Sequence, residues 1–130
     1  MREVESDDVR SAPCPPPVVR SFFAACVLAL VMAALPKPPG VPFEPSDKIQ
    51  HIAAFAVLAL LARIAFWEAR ALSIFVSLSL FGALIECVQL VPALGRDADI
   101  VDWLADNVAV LAVLLIAKAW HYWSNKALQP

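Results

Sequence analysis

Three ionisable side chains stand at the start of an apolar stretch in the middle of this sequence. In the segment DKIQH, Asp47 and Lys48 precede His51 by four and three residues, so the three side chains share a face if the segment is helical. A carboxylate, an ammonium and an imidazole brought together could hold an anionic group, transfer a proton or pair with one another. We therefore take DKIQH as the first part of a candidate site.

A second polar group lies near the end of a later apolar stretch. Glu86 and Gln89 are three residues apart, and Ser79 and Gly82 extend the same helical face away from them. Helices that pack against each other in lipid use small and weakly polar residues of this kind. The pattern predicts a helix contact at Gly82 and a polar site beside Glu86.

A third group follows Arg96. Three aspartates recur there at intervals of three and four residues, again on one helical face: Asp99, Asp102 and Asp106. A charged side chain at the centre of a bilayer costs roughly 2.5–3.5 kcal/mol on insertion scales, and less near the interface. Glu86 and Asp106 lie deepest in their apolar stretches and are therefore expected to face protein or water. Asp102 and Asp106 are better candidates for function than the acids before them, because they lie further into the span. Asp97 and Asp99 are instead expected to be solvated loop acids.

The composition predicts the elements that position these groups. Hydrophobic residues make up 61% of the 130 residues and charged residues only 17%, which is too apolar for a soluble domain of this length. Four apolar windows approach the roughly 20 residues that a bilayer-spanning helix needs. They cover residues 18–35, 49–67, 71–91 and 100–120. We predict an all-α, polytopic membrane protein with four antiparallel transmembrane helices.

One domain accounts for most of the chain. Residues 1–17 are charged and then proline-rich and are predicted to be disordered. Residues 18–123 are predicted to form the four-helix transmembrane domain, and residues 124–130 a C-terminal tail. A cleaved signal peptide is the alternative for the first window, because arginines precede its short apolar core. We keep an uncleaved first helix, since no small-x-small cleavage site precedes the prolines that follow it.

The net charge and the cysteines argue against a nucleic-acid-binding protein and against a disulfide-stabilised one. A net charge of −2 gives no support for nucleic-acid binding. Of the three cysteines, Cys26 and Cys87 lie in apolar windows, which does not suggest a disulfide framework. No cofactor and no metal is predicted: His51, Glu86 and Asp102 could form a metal site only by tertiary contact, without local ligand spacing.

The distribution of basic residues predicts the orientation. Four spans put both termini and the 67–70 turn on one side, which carries more Lys and Arg than the other and is therefore expected to be cytoplasmic. We predict a multi-pass protein of the inner (cytoplasmic) membrane. The alternation of the spans brings all three polar groups to the opposite, extracytoplasmic interface. The predicted polar pocket there consists of Asp47, Lys48, His51, Glu86, Gln89, Arg96, Asp102 and Asp106, with Glu86 paired to Arg96 or Lys48.

The three segments DKIQH, GALIECVQL and GRDADIVDWLADNVA together resemble the VanZ-like family of small bacterial membrane proteins. The family pattern is Asp-Lys-x-x-His at the start of one span, Glu-x-x-Gln at the end of the next, then Gly-Arg, an Asp, and an Asx four residues on. The resemblance covers residues 47–51, 82–89 and 95–109, in order. Ala109 departs from the pattern, because the family usually has glycine there, and a glycine-dependent backbone approach is in doubt.

The resemblance implies an integral membrane protein of the bacterial cell envelope. The family's founding member is associated with resistance to the glycopeptide teicoplanin, so a link to antibiotic resistance or to cell-wall lipid handling is implied. The implied partners are membrane lipids and a lipid-linked cell-wall precursor or a glycopeptide. The biochemical mechanism does not follow from the resemblance.

Two functional hypotheses fit the pocket. In the first, a non-enzymatic protein uses Arg96, Lys48 and His51 to hold the phosphate or carboxylate of a lipid head group. In the second, a membrane enzyme acts on a lipid-linked phosphate substrate, with His51 as general acid or base and Arg96 at the phosphoryl group. A proton pathway is disfavoured, because the inner halves of the spans offer no ionisable relay except Arg63 near the far interface. A serine hydrolase is disfavoured by the lack of a nucleophile elbow.

Overall fold

The computed structural model describes residues 16–36 and 45–127, and at residues 33 and 45–47 it describes the backbone only. Four α-helices and one turn of 3₁₀ helix account for the regular structure in these two ranges, which contain no strand. The helices are α1 (Pro17–Ala34), α2 (Pro45–Ala65), α3 (Ala71–Gln89) and α4 (Ile100–Ala127), and the 3₁₀ turn is Pro92–Leu94. The all-α fold is confirmed for the described part of the chain.

Three of the helices, α2, α3 and α4, are each long and apolar enough to cross a bilayer, and α1 is a shorter apolar helix. Their outer surfaces expose large aliphatic side chains such as Leu80 and Leu115, as lipid-facing helices do. These features are compatible with a membrane-spanning protein. The helices begin and end close to the predicted windows, except that α4 continues to Ala127, beyond residue 120 and into the segment assigned to the tail.

Local chemistry explains where the helices stop and start. Pro17 occupies the first turn of α1, where its missing N–H would have no intrahelical acceptor. Pro92 follows α3 and cannot continue it, and Gly95 then adopts the left-handed conformation, with φ 57°, that closes the 3₁₀ turn. The carboxylate of Asp99 caps α4 by accepting the backbone N–H of Val101 at 2.8 Å.

Contacts at the helix ends show that successive helices alternate in direction. Lys48 near the start of α2 bonds to Asp99 just before α4, and Glu86 near the end of α3 reaches the same residue. At the opposite end, Phe22 early in α1 packs edge-to-face on Phe66, directly after α2, with ring centroids 5.4 Å apart. We call the end of the bundle that carries Lys48, Glu86 and Asp99 the polar end.

The core lies along the facing sides of α2, α3 and α4. Phe55 of α2 is almost completely buried, and Gly82 of α3 lies against its ring and against the indole of Trp103 from α4. The Trp103 indole N–H also donates to the backbone carbonyl of Ser79 at 3.0 Å. The predicted helix contact at Gly82 is therefore confirmed, and the absence of a side chain at that position lets two aromatic rings approach α3.

Candidate functional site

Lys48 joins α2 to the beginning of α4. Its ammonium donates to Oδ2 of Asp99 at 3.0 Å and to Oδ1 of Asp102. The pKa of the Asp99 carboxyl is lowered, first because the backbone N–H of Val101 bonds to its charged form and second because Lys48 does. One ammonium therefore holds the carboxylate that precedes α4 and one carboxylate of α4 against α2, and Lys48 is oriented by this network.

His51 lies one helical turn deeper on α2 and meets α4 at Asp106. Nδ1 of His51 is 3.4 Å from Oδ2 of Asp106, whose side chain is only 3% exposed. A hydrogen bond between Nδ1 of His51 and Oδ2 of Asp106 needs one proton, which either residue can carry. Since Nδ1 faces Asp106, Nε2 is the ring nitrogen left to meet another group. A buried carboxylate that orients an imidazole is a common arrangement at both binding and catalytic sites.

Glu86 does not form the predicted pair with Arg96. Its Oε2 instead accepts the backbone N–H of Asp99 at 2.9 Å, so the carboxylate of α3 fixes the residue that caps α4. This backbone partner could not be predicted from residue types, because every non-proline residue offers the same N–H. Glu86 thus positions the start of α4, and through it the aspartates that follow.

Arg96 reaches towards α1 rather than towards the acids. Its Nε donates to the backbone carbonyl of Leu35 at 3.0 Å and its second terminal nitrogen to that of Met32 at 3.4 Å. The last carbonyls of a helix have no intrahelical partner and carry partial negative charge, so a guanidinium is a suitable donor there. Arg96 therefore ties the end of α1 to the polar end and keeps further N–H groups for a ligand.

Two further residues of the predicted pocket, Gln89 and Asp47, lie on the helices that were expected to carry them. Gln89 is buried on α3. Asp47 belongs to α2, but its side chain lies outside the described part of the structure. Asp99 lies in the loop before α4, as predicted, and its side chain is 35% exposed. The prediction did not include its bonds to Lys48 and Glu86, which make it a member of the network.

Three buried oxygen atoms have no hydrogen-bond partner among the described residues. They are Oε1 of Glu86, Oδ1 of Asp106 and Oδ1 of Asn107, whose amide nitrogen donates to the carbonyl of Trp103 at 2.7 Å. A buried acceptor without a donor costs roughly 1–3 kcal/mol. The described interior of the network is therefore rich in acceptors, and a donor group placed there would be stabilising.

A groove of about 440 Å³ begins beside this network and runs between α1 and α2. Its polar lining consists of Gln50, His51 and Arg96, all of which can donate hydrogen bonds, and the described lining includes no carboxylate. Gln50 was not among the predicted site residues; its position one residue before His51 was the only signal. The groove thus presents donors, while the acids lie behind them in the bundle.

The described residues contain no group of three or more His, Cys, Asp or Glu side chains placed to hold a metal ion. Comparison of the chain with models of protein families, with curated proteins and with solved structures finds no match. The site is therefore interpreted from its own geometry, which combines an acid-rich interior, a His–Asp pair and a donor-lined groove.

Proposed function

We propose that this chain is a VanZ-like integral membrane protein of the bacterial cell envelope that binds the anionic head group of a lipid or a lipid-linked cell-wall precursor. The resemblance in three separate segments supports the family. The meeting of Lys48, His51, Glu86, Asp102 and Asp106 at the polar end supports a site built from those segments. Ala109, where the family usually has glycine, is buried on α4, so a small residue still suits that position.

The proposal rests mainly on where the donors and the acids lie: the donors line the groove, and two of the acids are buried in the bundle. The groove meets Arg96, His51 and Gln50, whereas Asp102 and Asp106 are covered by α2. An anionic group entering the groove would therefore meet a guanidinium and an imidazole before the carboxylates of Asp102 and Asp106. A guanidinium suits phosphate and carboxylate because its parallel N–H groups match two oxygens at once.

In this proposal all four helices cross the membrane, the termini are cytoplasmic and the polar end faces outwards. We expect single cysteines introduced by Ser46→Cys or Asp97→Cys to react with an impermeant maleimide in intact cells, after the native cysteines are replaced. Glu68→Cys, in the turn after α2, is the matched control and should react only after permeabilisation. Labelling of positions 46 and 97 from opposite sides would contradict the arrangement.

We expect Arg96→Ala to reduce binding of an anionic lipid about ten-fold, because a charge-assisted hydrogen bond contributes roughly 1.5–3 kcal/mol. The measurement is native mass spectrometry of the purified protein titrated with phosphatidic acid and, separately, with phosphatidylcholine. Wild type should prefer phosphatidic acid, and the variant should lose that preference without losing phosphatidylcholine.

Arg63→Ala is the matched control for this experiment. Arg63 also donates to a backbone carbonyl, that of Trp67 at 2.6 Å, but it lies near the far end of α2. Its removal should leave the preference for phosphatidic acid unchanged. Equal losses in both variants would indicate general attraction of anionic lipid to surface arginines and would count against a specific site.

The His51–Asp106 pair favours one second candidate, an enzyme that acts on a lipid-linked phosphate. His51 would transfer a proton at Nε2 while Asp106 holds the ring, and Arg96 would meet the phosphoryl oxygens. Release of inorganic phosphate from an alkyl pyrophosphate by the purified protein, lost in His51→Ala, would favour this candidate. A link to teicoplanin resistance rests on the resemblance and would appear as a change in susceptibility on deletion of the gene.

A further inference from the structure

The groove between α1 and α2 extends far beyond the polar residues at its mouth. Its α1 wall is formed by Ala25, Leu28, Ala29 and Met32, which recur at the spacing of one helical face. Its α2 wall includes two adjacent small residues, Ala53 and Ala54, and then larger aliphatic side chains. One end is polar and the rest is apolar, so the groove is amphipathic along its length.

Small residues and end contacts explain why α1 does not close on α2. At the far end, α1 is held by the packing of Phe22 on Phe66. At the polar end, it is held by the hydrogen bonds from Arg96 to the carbonyls of Leu35 and Met32. Between these two attachments each helix contributes two alanines to the groove, Ala25 and Ala29 from α1 and Ala53 and Ala54 from α2, and their short side chains leave space that longer ones would fill.

The described walls of the groove cover about two thirds to four fifths of the depth of one lipid leaflet. The seven-residue separation of Ala25 and Met32 corresponds to about 10 Å of helix, and the eight-residue separation of Gln50 and Leu58 to about 12 Å. Half of a hydrocarbon core of about 30 Å is about 15 Å. The groove is also open sideways, because Leu28 and Val57 line it while they remain 62% and 53% exposed.

The polar mouth and the apolar walls of the groove argue against a small soluble anion and against a neutral hydrocarbon as the occupant. A small soluble anion would bond to Arg96 and leave the apolar wall without a partner. A neutral hydrocarbon would leave the donors of Arg96 and His51 unmatched.

We infer that the groove receives one hydrocarbon chain of an anionic amphiphile whose head group lies between Arg96 and His51. This inference rests on the proposed function for the head group and adds the class of the ligand: a lipid phosphate that enters sideways from the outer leaflet. The chain contributes van der Waals contact and orientation, because hydrocarbon gains little by leaving lipid for an apolar groove. The donors supply the selectivity.

The test uses the full chain in phosphatidylcholine nanodiscs and a long-chain alkyl monophosphate with a diazirine midway along the chain. After photolysis, the crosslinked residues of the wild-type protein are mapped by mass spectrometry. We expect crosslinks on both groove walls, at residues 25–32 and 53–58, and their suppression by unlabelled long-chain alkyl monophosphate. The same probe with a neutral alcohol head should label these residues much more weakly.

Variants that fill the groove sharpen this test. We expect Ala29→Phe and Ala54→Phe to reduce labelling about ten-fold, equivalent to about 1.4 kcal/mol. Ala112→Phe places the same ring at an exposed position of α4 and is the matched control, which should label like wild type. Since the crosslinks are mapped first on the wild-type protein, a variant that fails to fold does not remove the test.

Each alternative outcome is distinguishable. Ethyl phosphate competing as well as the long-chain compound, or crosslinks away from the two walls, would overturn the inference and leave head-group binding intact. Loss of all preference for the anionic probe would overturn the inference together with the proposed function. Disulfide-linked dimers formed through Leu28→Cys in an otherwise cysteine-free chain would assign the groove to a second copy and would likewise overturn the inference.

Discussion

Replacing His51 with leucine is expected to lower the free energy of unfolding by about 3 kcal/mol, because removal of one partner leaves the other as an uncompensated buried charge. The remaining partner is Asp106, whose side chain is 3% exposed and whose Oδ1 has no hydrogen-bond donor among the described residues. Breaking a buried pair costs roughly 3–5 kcal/mol in general. We expect the lower end here, since 3.4 Å is long for a charged hydrogen bond.

The double variant His51→Leu, Asp106→Leu separates structure from function. Replacing both members of a buried pair with apolar groups is often neutral or stabilising, so the double variant should regain most of the stability lost by the single one. It should still fail to bind anionic lipid, because the imidazole is gone. Denaturant titration in mixed micelles measures the first quantity, and lipid titration by native mass spectrometry the second.

The second histidine of the chain supplies the control. His121 is exposed near the end of α4 and lies 3.2 Å from Asn125. An exposed substitution of this kind usually changes stability by less than about 0.5 kcal/mol, so His121→Leu should unfold like wild type. If His51→Leu were as mild as His121→Leu, the pair with Asp106 would not contribute to the fold. If the double variant were as unstable as His51→Leu, the loss would come from packing and not from charge.

Substituting Gly82 is expected to produce the other large effect, graded by side-chain size. A Cβ at this position would lie 3.3 Å from Cζ of Phe55 and 3.3 Å from Cδ1 of Trp103, which is tight but tolerable. Gly82→Ala should be close to neutral, since alanine favours a helix over glycine by roughly 1 kcal/mol. Gly82→Leu would drive further atoms into both rings, and overpacking of this kind costs about 1–3 kcal/mol. We expect the upper end of that range.

The measurement for the Gly82 series is again denaturant titration, with Trp103 fluorescence as a local readout. Gly82→Leu should also shift that fluorescence, because the indole must move away from the Ser79 carbonyl it now bonds. Cys87→Leu adds a similar side chain at an exposed position of the same helix and should change neither quantity. Unaltered stability in Gly82→Leu would mean that α3 and α4 do not approach each other as closely as this contact requires.

These effects share a cause. The polar end holds more carboxyl groups than basic groups, and the fold places the basic groups either between the acids, as for Lys48, or in front of them, as for Arg96 and His51. A site arranged in this way presents donors to a ligand although its interior is acidic. Net charge alone, which is −2 for the chain, would not have indicated a groove lined by hydrogen-bond donors.

Much of the architecture follows from local features of the sequence. Apolar length predicts the helices, and prolines and glycines near their ends predict where they stop, because both depend on neighbouring residues only. Short connections between long helices force alternating directions, so Lys48, Glu86 and Asp102 had to reach the same end of the bundle. Helical spacing was also sufficient to predict that Gly82 lies at a contact and that Asp106 faces protein or water, since a face that carries small or charged residues avoids lipid. That Asp106 is buried against α2 was decided by the fold.

The choice of partners at the polar end was decided by tertiary structure. Opposite charges suggested that Glu86 pairs with Arg96 or Lys48. Glu86 instead accepts the backbone N–H of Asp99, and Arg96 donates to carbonyls at the end of α1. Partner choice depends on the rotation of each helix about its axis and on side-chain reach, at a scale of a few ångströms, which spacing within one helix does not specify. The groove has the same origin: alanines in α1 and α2 predict helices, and only the relative placement of those helices leaves the space between them.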